Sequence, residues 1–150
     1  MRKSGGLTAA LEDYIEAILN LSRGGQAAHS RDIAETLGVH KSTVTAALRS
    51  LGQMRLINYN TYKAVTLTPE GARLAEDVAR RHQALRNFFV NVLGVESGIA
   101  EKAACGMEHA VPREIIDRLA DFAAAVLHCP QTNGMQNGAC KIKARRTAPE

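Results

Sequence analysis

Three groups of side chains in this 150-residue sequence carry the donor atoms that divalent transition metals bind. The strongest group is Cys105, Glu108 and His109, whose i, i+3, i+4 spacing would place all three on one helix face. A thiol, a carboxyl and an imidazole beside an apolar seam are costly to desolvate unless something pairs them, as a metal ion would. This trio therefore favours a metal site over an ordinary polar face.

The other two groups are weaker when each is taken alone. Asp13 and Glu16 are three residues apart on a predicted first helix, where they could equally form a solvated acidic face. His82 falls on the apolar stripe of a long helix, where a histidine is more often a hydrogen-bonded core residue. Carboxylates suit Mn²⁺, whereas a thiolate favours Fe²⁺, Co²⁺ or Zn²⁺. The mixed donor set thus indicates Fe²⁺ or Mn²⁺, with Zn²⁺ or Co²⁺ able to bind in vitro.

Residues 30–51 have the spacing of a helix-turn-helix motif. Ala34 is small where two helices would cross closely, and Gly38 follows at a tight turn that needs a positive φ. Val44 then supplies an apolar plug between the helices. Two short segments rich in β-forming residues come next and predict a hairpin, which would make the motif a winged helix. An ordinary helical hairpin is the alternative interpretation.

Polar side chains at the start of the third helix would enter the major groove of DNA, and those of the hairpin would reach a phosphate or the minor groove. The residues that we assign to DNA binding on this basis are His40, Lys41, Ser42, Thr43, Thr45, Tyr59, Tyr62 and Lys63. His40 could instead be a plain exposed turn residue, and the tyrosines could simply pack the hairpin. The net charge of +4 suits a nucleic-acid partner without establishing one.

The apolar periodicity predicts a mainly α protein with short strands near residues 56–59 and 65–67. The predicted helices span residues 7–22, 30–37, 41–53, 69–93, 97–110 and 112–127. We therefore expect an N-terminal winged helix-turn-helix domain of three helices and a β-hairpin over residues 1–72, and a helical metal-binding domain over residues 73–128. Residues 129–150 are polar and basic and predict a flexible tail, in which Cys129 and Cys140 lack the spacing of a complete metal site.

Several classes of protein are disfavoured by the same sequence. The apolar runs are shorter than the ~18 residues of a membrane span, and acidic residues interrupt the only candidate signal peptide. An odd count of three cysteines does not suit a disulfide framework. No phosphate-binding loop and no pairing of nucleophile and base are recognisable, so we expect a cytoplasmic protein that is not an enzyme and has no organic substrate.

The sequence resembles the iron- and manganese-dependent repressor family, which includes the diphtheria toxin repressor and the manganese transport regulators. The likeness runs collinearly over about residues 7–127. It is carried by Leu11-Glu12-Asp13-Tyr14-Ile15-Glu16, the helix-turn-helix and wing, Arg81-His82, Leu93-Gly94-Val95 and Cys105-x-x-Glu108-His109. The resemblance implies a metal-activated homodimer in the cytoplasm, with the domain over residues 73–128 mediating dimerisation.

Carried over by position, the resemblance also implies a ligand set. Its members are Asp13, Glu16, His82, Cys105, Glu108 and His109. Asp13 and Glu16 resemble the manganese-type members, whereas Cys105 resembles the iron-type members. Arg86 and Glu101 stand where iron-type members carry a glutamate and a histidine of an ancillary site, although Glu101 could still reach a ligand cluster.

The sequence as a whole thus predicts a repressor of metal homeostasis genes. Its divalent metal, Fe²⁺ or Mn²⁺, would act as the corepressor that orders a homodimer for binding double-stranded operator DNA. The alternative is a metal-independent winged-helix regulator that senses a small ligand or the oxidation of a thiol such as Cys105.

Overall fold

A computed structural model describes residues 7–61 and 63–128. The predictions for Tyr62 and for the tail over residues 129–150 therefore lie outside the described residues. The chain divides into two compact units between Arg80 and Arg81, and each unit is described by itself.

The described residues form six α-helices, one π-helical turn and a two-stranded antiparallel sheet. The elements are α1 (Ala9–Arg23), α2 (Ser30–Leu37), α3 (Lys41–Gln53), β1 (Ile57–Asn58), β2 (Thr66–Leu67), α4 (Pro69–Asn87), the π turn (Phe88–Val92), α5 (Ser97–Met107) and α6 (Arg113–Leu127). The predicted fold class, mainly α with three helices and a hairpin at the N-terminal end, is confirmed. Among the described helices, none is long and apolar enough to cross a membrane.

Local sequence explains where the helices of the first unit begin and end. The Thr8 side chain caps α1 by accepting a hydrogen bond from the Leu11 amide at 3.3 Å. Gly38 follows α2 with a φ of 65°, the left-handed conformation predicted for the turn of the helix-turn-helix. Thr68 caps α4 in the same manner as Thr8 caps α1, and Pro69 occupies the first helical position, where its missing N–H costs nothing.

The core of the first unit lies among α1, α2, α3 and the hairpin. Its largest fully buried side chains are Ile15, Ile18, Ile33, Val44, Leu48, Leu51 and Val65. Each such side chain contributes about 1.5–3 kcal/mol when fully buried, so this core is the main source of stability in the unit. The two strands of the hairpin pair through Ile57 with Leu67 and Asn58 with Thr66, and the buried Ile57 side chain belongs to this core.

The second unit starts at Arg81 within α4 and contains the π turn, α5 and α6. Its buried apolar cluster is Leu85, Ala104 and Ile116, with Phe89 and Leu119 packed against it. The predicted helix over residues 69–93 is interrupted in its last part, because residues 88–92 adopt the wider π-helical turn. In that turn the Leu93 amide donates to the Phe88 carbonyl at 3.2 Å, and Gly94 follows with a φ of 66°.

Gly71 provides a test of the packing of α4 against the base of the hairpin. A Cβ atom at this position would overlap the backbone carbonyl oxygen of Leu56, and backbone cannot move as cheaply as a flexible side chain. We expect Gly71→Ala to lower the free energy of unfolding by about 3 kcal/mol in urea denaturation.

Gly52→Ala is the matched control for this prediction. Its added Cβ would meet only the Tyr59 Cβ at 3.8 Å, an ordinary contact, and alanine is the better helix former. This control should leave stability unchanged or raise it by up to about 1 kcal/mol. Equal effects of the two substitutions would contradict the packing argument.

Candidate functional site

Four of the predicted metal ligands come together in the second unit. His82 lies on α4, Glu101 lies on α5, and Glu108 and His109 follow directly after the end of α5. The His82 Nδ1 atom is 2.7 Å from Glu108 Oε2, and its Nε2 atom is 2.9 Å from Glu101 Oε1. His109 Nε2 lies 3.2 Å from Glu108 Oε1. Two imidazoles therefore flank the Glu108 carboxylate.

Glu108 is the exceptional residue of this cluster because its side chain is fully buried. Its Oε1 atom has no hydrogen-bond partner among the described residues, since the approach of His109 lacks hydrogen-bond geometry. A buried carboxylate oxygen without a partner is costly unless a positive charge neutralises it. The carboxylate and imidazole groups of this cluster are of the types that bind a divalent transition metal.

Two arginines that were not predicted as site residues support the cluster. The Arg81 guanidinium donates from Nη1 to the backbone carbonyl of Glu108 at 2.7 Å, just where α5 ends. The Arg86 Nε atom is 2.9 Å from Glu101 Oε2, and its Nη2 atom donates to Ser97 Oγ at 2.8 Å. The one sequence signal for these contacts is that both arginines lie within four residues of His82 on the same helix.

The predicted DNA-binding residues lie on α3 and the hairpin of the first unit. His40 precedes α3 as its N-cap residue, and Lys41, Ser42 and Thr43 are exposed in its first turn. Thr45 is half-buried, and its hydroxyl donates to the Lys41 carbonyl at 2.9 Å. Lys41, Ser42 and Thr43 are therefore the most accessible polar side chains at this end of α3.

The two described wing residues in the prediction differ in their surroundings. Tyr59 is half-buried and packs against the core of the first unit, which is the packing role that the sequence left open. Lys63 is exposed. Of these two side chains, Lys63 is the one accessible to a phosphate.

Two protein-family models match the chain over most of its length. One describes the N-terminal DNA-binding domain of iron-dependent repressors and matches residues 6–65. The other describes the metal-binding and dimerisation domain of iron-dependent repressors and matches residues 68–137. The transcriptional regulator MntR of Escherichia coli O6:H1 is 42% identical over 107 residues, which cover 71% of this chain and 68% of that protein. The chain belongs to the iron-dependent repressor family.

Other relatives of this repressor agree with that assignment. An HTH-type transcriptional regulator of Methanocaldococcus jannaschii is 31% identical over 117 residues, which cover 77% of this chain and 94% of that protein. A solved manganese-dependent transcriptional repressor in complex with manganese superposes with a TM-score of 0.70 at 31% identity. That match covers 76% of this chain, which spans 52% of the solved one. The predicted family and the predicted class of metal-dependent DNA-binding repressor are confirmed.

The other predicted ligands of this repressor are one residue of α5 and two residues of α1. Cys105 is exposed on α5. Asp13 and Glu16 lie on α1 in the first unit, and both are partly buried. Their participation in a metal site stays a prediction.

The two carboxylates raise the pKa of His82 from 6.5 to about 9. The hydrogen bond with Glu108 is the largest cause, the charge of Glu108 and the contacts with Glu101 add to it, and burial opposes it. Without metal, His82 is therefore protonated at neutral pH. A metal that binds this imidazole must displace one of its protons.

This pKa predicts how the stability of the metal-free protein depends on pH. Because the pKa of His82 is raised in the folded state, its stabilising contribution is complete below pH 6.5 and disappears as pH rises through about 9. In the presence of chelator, the difference in unfolding free energy between the wild type and His82→Gln should shrink by up to about 3 kcal/mol over that window.

Urea denaturation at a series of pH values measures this difference. His128→Gln, which removes an exposed histidine of the same unit, is the matched control. A wild-type advantage over His82→Gln that stays constant between pH 6 and 9.5 would rule out the predicted coupling.

Proposed function

We propose that this chain represses genes of metal homeostasis and that a divalent metal, Fe²⁺ or Mn²⁺, is its corepressor. The observation that supports the metal most directly is the buried Glu108 carboxylate, whose Oε1 atom lacks a hydrogen bond among the described residues. Membership of a family with a metal-binding and dimerisation domain supports the same function.

In the proposed site, the second unit supplies the central ligands His82, Glu108 and His109. Asp13 and Glu16 would contribute carboxylates from the first unit, and Cys105 a thiolate from α5. When bound, the cation would supply the positive charge that allows acidic and imidazole donors from both units to coordinate one ion. Donors from both units would constrain the relative orientation of those units, which is the quantity that a DNA-binding dimer must control.

The choice between Fe²⁺ and Mn²⁺ depends on the balance of donors. The carboxylates suit Mn²⁺, and Mn²⁺ is the ion that the solved relative is described as holding. The thiol of Cys105, if it joins the site, shifts the preference towards Fe²⁺, with Zn²⁺ and Co²⁺ as ions that bind in vitro. Cys105 is exposed, so it is accessible to a metal from solution.

Double-stranded DNA is the second proposed ligand. The first turn of α3 presents Lys41, Ser42 and Thr43 to solvent, and short polar side chains at a helix N-terminus suit phosphates and base edges. In a homodimer, two copies of α3 would lie in major grooves about one turn, ~34 Å, apart. His40 and Lys63 would add contacts at the margins.

The second unit carries the apolar surface that a homodimer requires. Its exposed large apolar side chains are Leu93, Ile99, Met107, Ile115, Phe122 and Leu127. Ile99 is 61% exposed and Leu93 57%. We propose that these side chains contribute to contacts with a second copy.

Metal and DNA binding would then be coupled thermodynamically. Donors shared between the two units stabilise the arrangement that binds DNA, and couplings of this kind are commonly ~1–3 kcal/mol per site. By reciprocity, DNA must tighten the binding of metal to the same extent.

Metal dependence of DNA binding tests the proposal directly. We expect that the full-length protein, under anaerobic conditions, enriches a specific sequence from a random duplex library with Fe²⁺ or Mn²⁺ but not with chelator. Affinity for the selected duplex should fall at least ~10-fold on metal removal, in line with the coupling above. Zn²⁺ is included as a third ion.

Two substitutions test whether this metal dependence arises from the cluster around Glu108. Glu108→Gln should abolish the response to metal, because an amide cannot supply the anionic ligand. Glu114→Gln, at an exposed position on α6, is the control and should respond like the wild type. DNA binding that persists unchanged in chelator would refute the corepressor role.

The position of the DNA-reading helix is tested by Thr43→Glu. A carboxylate in the first turn of α3 would face phosphates, so we expect at least ~100-fold weaker binding of the selected duplex in fluorescence anisotropy. The metal content and circular dichroism spectrum should not change. Ser50→Glu places the same charge near the other end of α3 and should cost much less. Equal losses in both variants would show that α3 does not bind in the proposed orientation.

A further inference from the structure

Glu101 and Glu108 both contact His82, but their surroundings differ in a way that separates their roles. Glu108 is fully buried, and one of its carboxylate oxygens has no hydrogen bond among the described residues. Both oxygens of Glu101 are engaged, Oε1 by His82 Nε2 and Oε2 by Arg86 Nε, each at 2.9 Å. The Glu101 side chain is also 56% exposed. Glu108 therefore has an oxygen available for a metal, whereas Glu101 is occupied by two cationic groups.

Arg86 is itself held in place, so it can fix the direction of Glu101. Its Nη2 atom donates to Ser97 Oγ at 2.8 Å while its Nε atom contacts Glu101. A guanidinium is planar and rigid, and two contacts at different nitrogens determine its orientation. Ser97, Arg86, Glu101 and His82 thus form a chain of polar contacts that leads to the imidazole Nε2 atom.

The two ring nitrogens of His82 contact two different carboxylates. Nε2 faces the anchored and exposed Glu101, and Nδ1 faces the buried Glu108 at 2.7 Å. A neutral imidazole has one N–H donor and one lone pair, and the group that accepts from one nitrogen decides which nitrogen keeps its lone pair.

We propose that Glu101 and Arg86 are positioning residues that set the tautomer of His82 for metal binding. This inference rests on the proposed corepressor site. Glu101 accepts the Nε2 proton, Arg86 holds Glu101 in the geometry to do so, and Nδ1 is the nitrogen presented to the metal beside Glu108. The Nδ1 proton leaves to solvent when a dication takes its place. Glu101 is not a ligand in this arrangement.

The protonated nitrogen of His82 is measured by nitrogen-15 NMR on full-length protein labelled at histidine. Zn²⁺ is the probe, because it is diamagnetic, and the His82 signals are identified by their loss in His82→Gln. In the Zn²⁺-loaded wild type we expect a proton on Nε2 and metal on Nδ1. In Glu101→Leu we expect this pattern to be replaced by a mixture of tautomers.

Metal affinity and stoichiometry distinguish a positioning residue from a ligand. For Mn²⁺, Glu101→Leu should lower affinity by about 10–100-fold without changing the number of ions bound per subunit. Glu101→Gln keeps an oxygen that can accept the Nε2 proton, so it should restore most of the affinity. Arg86→Met should weaken binding less than Glu101→Leu. Arg118→Met removes an exposed arginine paired with Glu114 in the same unit and should have no effect.

Three results would overturn the proposal. They are metal on Nε2 in the wild type, an ion lost per subunit in Glu101→Leu, and an unchanged affinity in that variant with unchanged circular dichroism. If Glu101→Leu does not fold, the His82 tautomer in the wild type and the metal affinity of Glu101→Gln still test the proposal. Failure of the corepressor function itself would be seen differently, as DNA binding by the wild type that does not change when metal is added or removed.

Discussion

A carboxylate with no access to water is the constraint around which the second unit is arranged. Removing Glu108 from solvent costs several kcal/mol unless positive charge and hydrogen bonds replace the lost hydration. The protein supplies the His82 imidazole on one oxygen, and Arg81 fixes the backbone carbonyl of the same residue. The other oxygen stays without a hydrogen bond among the described residues. In the proposed function, a cation would supply the charge that this incomplete compensation leaves out.

The same constraint explains why the pKa of His82 is raised. Protonated His82 partly neutralises Glu108 when no metal is present, and a cation bound to this imidazole in the proposed site would take the place of that proton. The proton on His82 thus stabilises the metal-free state and can still be displaced. Neutralisation by a proton is weaker than neutralisation by a dication, so in the proposed function this difference would favour the metal-bound state.

Local patterns in the sequence were sufficient to predict most of the elements and to single out His82, Glu108 and His109, which the structure brings together. The spacing of Cys105, Glu108 and His109 favoured a metal site, whereas the place of His82 on an apolar stripe by itself suited a core histidine. Gly38 does adopt the positive φ that its turn required. The boundaries of α2 and α3 also match the prediction, because capping residues and helix-terminating turns are local signals.

Contacts between elements could not be predicted in the same way. The pairing of Arg86 with Glu101 and the bond from Arg81 to the Glu108 carbonyl depend on how α4 packs against α5, which no spacing within one helix reveals. Within the predicted trio, burial also differs between neighbouring positions: Cys105 is exposed, whereas Glu108, the C-cap residue of α5, is buried.

The π-helical turn between α4 and α5 has a consequence for how the chain tolerates change in length. A π turn accommodates one residue more than an α turn, so an insertion or deletion at Phe88–Val92 can be absorbed as a local widening or tightening of the helix. His82 upstream and Glu101 downstream belong to regular α-helical segments, whose own registers such an event leaves intact. The number of residues between these two metal-type side chains can therefore change by one while both helical segments are kept.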